Sequence, residues 1–192
     1  LNPFSASARA LSGLYWKRRN ESQKALAQFQ WAAAIEPQNP AFQAALGDAY
    51  VFAGNLPPAL AAYIHAAELA PTDVTYWRML ALFSAQYSFQ VADVGVPAAQ
   101  QALALAPDEA ASLDLLGWTY LAANMSELAE AKLLAALRLD PDYAPAHLHL
   151  GMTYLQMNQM EAARLHLMQA QALAPDSAEG QQAAQLLELY FP

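Results

Sequence analysis

Apolar residues recur along this chain at intervals of three and four residues, which places them on one face of a helix. Turn-forming residues interrupt the pattern, as at Gly54-Asn55, and divide it into short helical stretches. A Pro follows every second stretch, at positions 37, 71, 107, 141 and 175. Because Pro cannot continue a helix and disfavours helical geometry in the residue before it, we predict a chain of helix pairs, each followed by a Pro.

The five Pro positions repeat with a nearly constant period. Three of the four intervals between them are 34 residues long, and the interval from Pro71 to Pro107 is 36. A period of this length is typical of a helical solenoid, in which each unit packs against its neighbour. We therefore predict an all-α fold and one domain over residues 1–192. Its units are predicted at about 6–39, 40–73, 74–109, 110–143 and 144–177, followed by a capping helix at about 178–190.

Residues at fixed positions of each unit form a common pattern. The fifth unit has Leu150-Gly151 and Tyr154 in its first helix, then Ala163 and Pro175 in matching places. In these residues the chain resembles the tetratricopeptide repeat (TPR) family, whose pattern is W-x2-L-G-x2-Y, then A-x3-F, then P. The resemblance implies a right-handed α-α superhelix of antiparallel helix pairs. Small residues at the Gly and Ala positions are expected where helices cross, because a larger side chain would push the helices apart.

The third unit departs from this pattern. Ala81 stands in place of the Gly, Ser84 in place of the Tyr, and Gly95 in place of the first Ala of the second helix. We place its two extra residues in the turn within 88–96, with Pro97 opening the second helix, where a missing N–H costs nothing. An insertion tolerated at a solvent-facing turn is the favoured interpretation, and a contact site is the alternative.

Both ends of the chain differ from the repeated units. The segment after Pro175 has the composition of a single helix, so we expect a solvating cap with Gln185 and Glu188 outside and Leu187 and Tyr190 packed inward. Residues 189–192 are apolar, and we expect them to dock on this chain or another, or to lead into further chain. Because the sequence begins with Leu1 rather than Met, we expect a processed product or a piece of a longer protein.

Charge narrows the classes of partner. The chain has a formal net charge of -8, which argues against nucleic acid, since nucleic-acid binding depends on Lys and Arg at phosphates. Five of the nine basic residues fall in the first 24, together with the single acid Glu21: Arg9, Lys17, Arg18, Arg19 and Lys24. A solvated helix end is the favoured interpretation of this cluster, and a contact for an acidic partner is the alternative. Every apolar run is shorter than the roughly 18 residues of a membrane-spanning helix.

The residue types that carry chemistry are scattered. The chain contains no Cys, which excludes disulfides and thiolate sites, and suits reducing and oxidising compartments equally. His147 and His149 are two residues apart on a helix and so point to different faces, while His65 and His166 are expected to be packing or surface residues. Paired acids such as Asp108-Glu109 precede a helix and are expected to cap it. We therefore predict no catalytic residues, no metal, no cofactor and no enzyme activity.

The TPR resemblance indicates which residues line a concave groove. In that family, slots 2, 5, 9 and 12 of each first helix usually face the groove, and only four of the twenty residues in these slots here are charged. The small number of charged residues in these slots argues against capture of a peptide carboxylate by a basic cluster. The candidate groove residues are Leu14, Lys17, Asp48, Val51, Arg78, Leu82, Asp114, Trp118, Leu121, Leu148, Met152 and Leu155.

From the groove we predict a protein-protein interaction module or scaffold. An apolar partner segment is expected in its C-terminal half, with Arg78 and Asp114 giving polar orientation, since exposed apolar patches with aromatic anchors mark interaction surfaces. A structural role in self-association is one alternative, and an accessory domain of a larger enzyme is another. A further alternative is that Trp118 only packs against the neighbouring unit.

Overall fold

The computed structural model describes residues 5–192, and all regular elements in this range are helical. The predicted all-α fold class is confirmed. The first four residues of the predicted array 1–192 lie outside the described range. The α-helices, numbered in chain order, are α1 (Ala6–Arg18), α2 (Ser22–Ile35), α3 (Pro40–Phe52), α4 (Leu56–Leu69), α5 (Val74–Gln86), α6 (Val96–Leu105), α7 (Ala110–Ala122), α8 (Ser126–Leu139), α9 (Ala144–Gln156), α10 (Met160–Leu173) and α11 (Ala178–Tyr190).

The chain divides after Phe83 into two compact units, each of which is described by itself. In unit 1 the helices pack in sequence order, α1 on α2, α2 on α3 and α3 on α4. In unit 2, α7 pairs with α8 and α9 with α10, and α11 packs on both α9 and α10. First helices also touch each other, since α7 contacts α9. The prediction of a single domain over 1–192 stays a prediction.

The first helix of every repeat is followed by a residue with left-handed backbone geometry. These residues are Asn20, Gly54, Ser88, Asn124 and Asn158, with φ between 48° and 77°. Asn and Gly adopt this geometry with little strain, so they stop the helix and turn the chain toward its second helix. Only the irregular third repeat uses a different residue, Ser88.

The insertion of the third repeat forms a π-helical turn, Val91–Gly95, directly before α6. Pro97 lies in the first turn of α6, which has 10 residues. A Cβ added to Gly95 would lie 2.7 Å from the Cβ of Ser84. Ser84 and Gly95 therefore lie against each other, and a larger residue at Gly95 would clash with Ser84.

Small residues mark the helix crossings, as predicted. A Cβ on Gly117 would lie 2.6 Å from Leu133, and one on Gly151 would lie 2.8 Å from Leu167. Both leucines are fully buried. The neighbouring Ala positions are equally closed, with 0% exposure at Ala129, Ala136, Ala163 and Ala170. In each of these helix pairs, one large side chain of the second helix therefore packs against one Gly of the first.

The capping helix α11 covers the end of the unit 2 core. Leu186 and Leu187 pack against a buried cluster that includes Leu148 and Leu167. Tyr190, which the sequence placed inward, is instead 48% exposed. Phe191 packs against the cluster in its place, and the helix ends at this residue, where the backbone leaves helical geometry. Among the described helices, none is long and apolar enough to cross a membrane.

Candidate partner-binding face

The candidate groove residues of unit 1 differ in exposure. Leu14 and Leu82 are 49% and 41% exposed, and Lys17 is exposed as well. Asp48, Val51 and Arg78 are half-buried. The Asp48 carboxylate accepts a hydrogen bond of 2.5 Å from the Tyr63 hydroxyl of α4. That carboxylate is thus engaged within its own helix pair.

In unit 2, three of the polar and aromatic side chains form one cluster. The imidazole of His149 on α9 stacks on the indole of Trp118 on α7, with ring centroids 4.9 Å apart and planes 9° from parallel. His149 Nδ1 lies 2.8 Å from Asp114 Oδ1. A carboxylate only accepts, so Nδ1 carries the proton and donates it. Asp114 and His149 are 5% and 8% exposed, whereas Trp118 is half-buried.

The local sequence explains how this cluster forms. Asp114 and Trp118 are four residues apart on α7 and therefore share one side of the helix. Packing of α9 along α7 then brings His149 between them. Sequence reasoning missed His149 as a site residue because it lies outside the four groove slots. The available signal was the separation of Asp114 and His149 by 35 residues, close to one repeat period.

Two of the candidate groove residues lie in the core rather than on a surface. Leu121 is 9% exposed and Leu148 is 1% exposed, and Leu148 belongs to the cluster beneath α11. Both side chains therefore offer little apolar surface to a partner. The expectation for Asp114 also changes, because its carboxylate is buried against His149 and contacts a partner only through that ring.

The apolar surface that remains in unit 2 is smaller than the sequence indicated. Met152 and Leu155 are half-buried and pack at the edge of the cluster beneath α11. Gln182 Nε2 of α11 lies 3.9 Å from the sulfur of Met152. We refer to the surface formed by Asp114, Trp118, His149, Met152 and Leu155 as the α7–α9 face.

Polar contacts join the C-terminal end of α9 to the turn between α7 and α8. Gln156 Nε2 donates to Asn124 Oδ1 at 2.7 Å, and the hydroxyl of Ser126 donates to Gln156 Oε1 at 3.0 Å. One side chain of α9 therefore bridges the turn between α7 and α8. This bridge and the ring stack hold the α7–α9 face at two points.

A second histidine cluster lies between α9 and α10. His147 Nε2 is 2.9 Å from the carbonyl oxygen of Pro141, and its Nδ1 is 2.9 Å from His166 Nδ1. Nε2 must donate to the carbonyl, so neutral His147 accepts at Nδ1 from His166. Burial lowers the pKa of His166, and repulsion between the two rings when both are protonated lowers it further. Tyr154 donates to Glu130 at 2.9 Å, and burial with this carboxylate raises the pKa of Tyr154 to about 12.

The histidines have different neighbours, so they do not converge on one point. His147 contacts His166, whereas His149 contacts Asp114 and Trp118. Within residues 5–192, no group of three or more His, Asp and Glu side chains is placed to hold a metal ion. The contacts of both clusters position side chains within the repeat stack.

Comparison with known families decides the assignment. The family model described as tetratricopeptide repeat matches residues 144–177, which contain α9 and α10. The fifth repeat is a tetratricopeptide repeat. The other repeats share the helix pairs, the Gly crossings and the closing Pro of this repeat.

Several solved structures share the fold of this chain. MamA from Desulfovibrio magneticus RS-1 is 21% identical, with 90% of this chain and 97% of that chain covered and a TM-score of 0.68. PilW, a type IV pilus biogenesis factor, is 17% identical, with 97% and 94% covered and a TM-score of 0.71. YrrB, described as a TPR protein with an unusual peptide-binding site, is 20% identical, with 96% and 94% covered and a TM-score of 0.64. No curated protein matches the chain.

These findings support a protein-interaction scaffold in general terms. The identities are at most 21%, so the likeness extends to the fold and not to a shared ligand. The site of binding therefore has to be argued from the side chains of this chain.

Proposed function

We propose that this chain binds a largely apolar segment of a partner protein on the α7–α9 face. The observation that supports the proposal is the state of Trp118, whose ring is held flat against His149 but remains partly exposed. Tryptophan is the residue type most enriched among the side chains that dominate binding energy. A fixed, partly exposed indole is a suitable anchor for an apolar side chain.

Preorganisation of the face favours binding over a purely structural role. Stacking on His149 restricts the rotation of Trp118 before any partner arrives, so less side-chain entropy is lost on association. Beside it, Met152 offers a flexible thioether side chain that adapts to the shape of a ligand. The face thus combines one rigid anchor with one adaptable contact.

The buried Asp114–His149 pair supports the same interpretation. Burying a carboxylate and an imidazole costs desolvation energy unless they are hydrogen-bonded, and apolar side chains of similar size avoid this cost. In this chain the pair holds the ring that supports Trp118. Because His149 Nδ1 points to Asp114, Nε2 is the ring nitrogen left to accept a hydrogen bond from a partner N–H. His149 thereby takes the orienting role that the sequence assigned to Arg78 and Asp114.

A peptide-display selection tests the proposal before any natural partner is identified. Random peptides are selected on the immobilised chain, and the recovered peptides are titrated against the wild-type chain and Trp118→Ala. We expect peptides rich in apolar residues, and a loss of affinity on the order of 30-fold in Trp118→Ala, the effect typical of an anchor residue. The matched control is Leu128→Ala, which removes an apolar side chain that is 49% exposed on α8.

The control gives the selection a clear outcome. Peptides that bind Trp118→Ala as tightly as wild type, or that lose affinity equally in Leu128→Ala, would contradict the proposal. Trp118 is changed alone because Leu121 is part of the core, where truncation would destabilise the fold.

A further inference from the structure

The first helix exposes an apolar stripe that does not face its partner helix. Leu11, Leu14 and Tyr15 are 55%, 49% and 52% exposed, and their spacing places them on one side of α1. The opposite side of α1 packs on α2, with Gly13 against Phe29. We refer to Leu11, Leu14, Tyr15 and Arg18 as the α1 face.

The same helix positions are buried in the first helices of unit 2. Leu11 is the sixth residue of α1, and the sixth residues of α7 and α9 are Leu115 and His149, 5% and 8% exposed. Tyr15 is the tenth, and its equivalents Thr119 and Thr153 are 0% exposed. The α1 face therefore occupies positions that a neighbouring repeat covers elsewhere.

Charge distinguishes the α1 face from an ordinary apolar patch. Lys17, Arg18 and Arg19 follow the stripe at the C-terminal end of α1. A surface of this kind favours a partner that combines apolar side chains with negative charge.

The C-terminal end of the chain has the complementary composition. A shallow depression of about 490 Å³ lies between α10, α11 and the tail, and Met168, Leu187, Phe191 and Pro192 contribute its apolar lining. Glu188 lines it as well, together with one cation, Arg164. Residues 165–192 contain three acids, Asp176, Glu179 and Glu188, and no Lys or Arg.

We propose that the α1 face of one copy docks in the C-terminal depression of a second copy. The contact joins an apolar stripe with basic flanks to an apolar depression in an acidic segment, and each helix gains the cover that an inner repeat has. A symmetric contact between two α1 faces is disfavoured, since antiparallel helices would place Arg18 beside the positive N-terminal pole of the other copy. This contact uses none of the α7–α9 face and does not rest on the proposed function.

A head-to-tail contact predicts a particular mode of assembly. Because the two surfaces differ, each copy keeps one of them open after pairing, so growth continues unless a ring closes. Sedimentation velocity of the chain from low to high micromolar concentration should therefore show species larger than a dimer. A mass that stays monomeric throughout this range overturns the proposal.

Charge reversal at each end separates this contact from other modes. The first variant carries Lys17→Glu and Arg18→Glu, and the second carries Asp176→Lys and Glu188→Lys. Each variant alone has two ends of like sign, so we expect association to weaken on the order of tenfold or more, as attraction becomes repulsion. Circular dichroism checks that both remain helical.

A mixture of the two variants is the decisive sample. The acidic α1 face of the first matches the basic C-terminal end of the second, and the unmodified ends match as well, so mixing should restore the large species. A mixture that stays monomeric overturns the proposal. The proposal is also overturned if the second variant associates like wild type, because that result would indicate a contact between two α1 faces. The control Leu128→Glu introduces a charge at an exposed leucine of α8 and should associate like wild type.

Discussion

The crossing of α7 and α8 has no room for an additional methyl group at Gly117. An added Cβ would lie 2.6 Å from Leu133 Cγ and 2.8 Å from its Cδ2, and Leu133 is 0% exposed. Replacing Gly with Ala within a helix gains about 1 kcal/mol of helix propensity, but overpacking a closed core costs up to about 3 kcal/mol. We predict that Gly117→Ala lowers the free energy of unfolding by about 2 kcal/mol, measured by urea denaturation followed by circular dichroism.

A double-mutant cycle tests whether the clash is the cause. Leu133→Ala alone should cost about 2–5 kcal/mol, and the cavity that it leaves lies where the methyl group added by Gly117→Ala would go. The double variant should therefore be more stable than the sum of the single changes by on the order of 2 kcal/mol. As a matched control, Gly117→Ala combined with Leu167→Ala, whose side chain packs on Gly151 instead, should be additive within about 0.5 kcal/mol. Additivity of the Gly117 and Leu133 changes would refute the reasoning.

Three further changes follow from other contacts. Because burial lowers the pKa of His166 below 6.5, the folded state binds this proton less readily than the unfolded chain. Its contribution to the free energy of unfolding is therefore full above pH 6.5 and lost as the pH falls through the lowered pKa. Urea titrations across this pH range should show that His166→Gln loses less unfolding free energy on acidification than the wild-type chain. An equal loss in both would contradict the assignment. Leu148→Ala should cost about 2–5 kcal/mol of unfolding free energy, and a near-zero change would show that this leucine is not part of the core. Ser177→Ala, which removes the hydroxyl that accepts from Gly180 N at 3.1 Å, should cost about 1 kcal/mol, seen as faster amide exchange in α11.

The repeat period predicted the local elements well because their causes are local. A Pro after each pair and a Gly or Asn after most first helices act within a few residues. The insertion could also be placed, since Pro97 indicates where α6 starts. The Gly positions predicted the crossings because a closely packed pair admits no Cβ there.

The candidate site was predicted less completely because its contacts cross between repeats. Slot rules indicate which way a side chain points but not how deeply the next helix buries it, so Leu121 and Leu148 were assigned to the groove although both are buried. The pairing of His149 with Asp114 depends on how α9 packs along α7. The residue pattern within one repeat does not indicate how closely helices of different repeats pack.

The tryptophan indole signals of the chain provide the most direct test of the α7–α9 face. The chain has four tryptophans, so a nitrogen-15 spectrum gives one indole N–H signal for each, assigned by single Trp→Phe changes. On titration with a peptide from the display selection, the Trp118 signal should shift and saturate at the affinity measured for binding. The signal of Trp31, which is 58% exposed on α2, should not move. A peptide that binds while the Trp118 signal stays fixed would contradict the account.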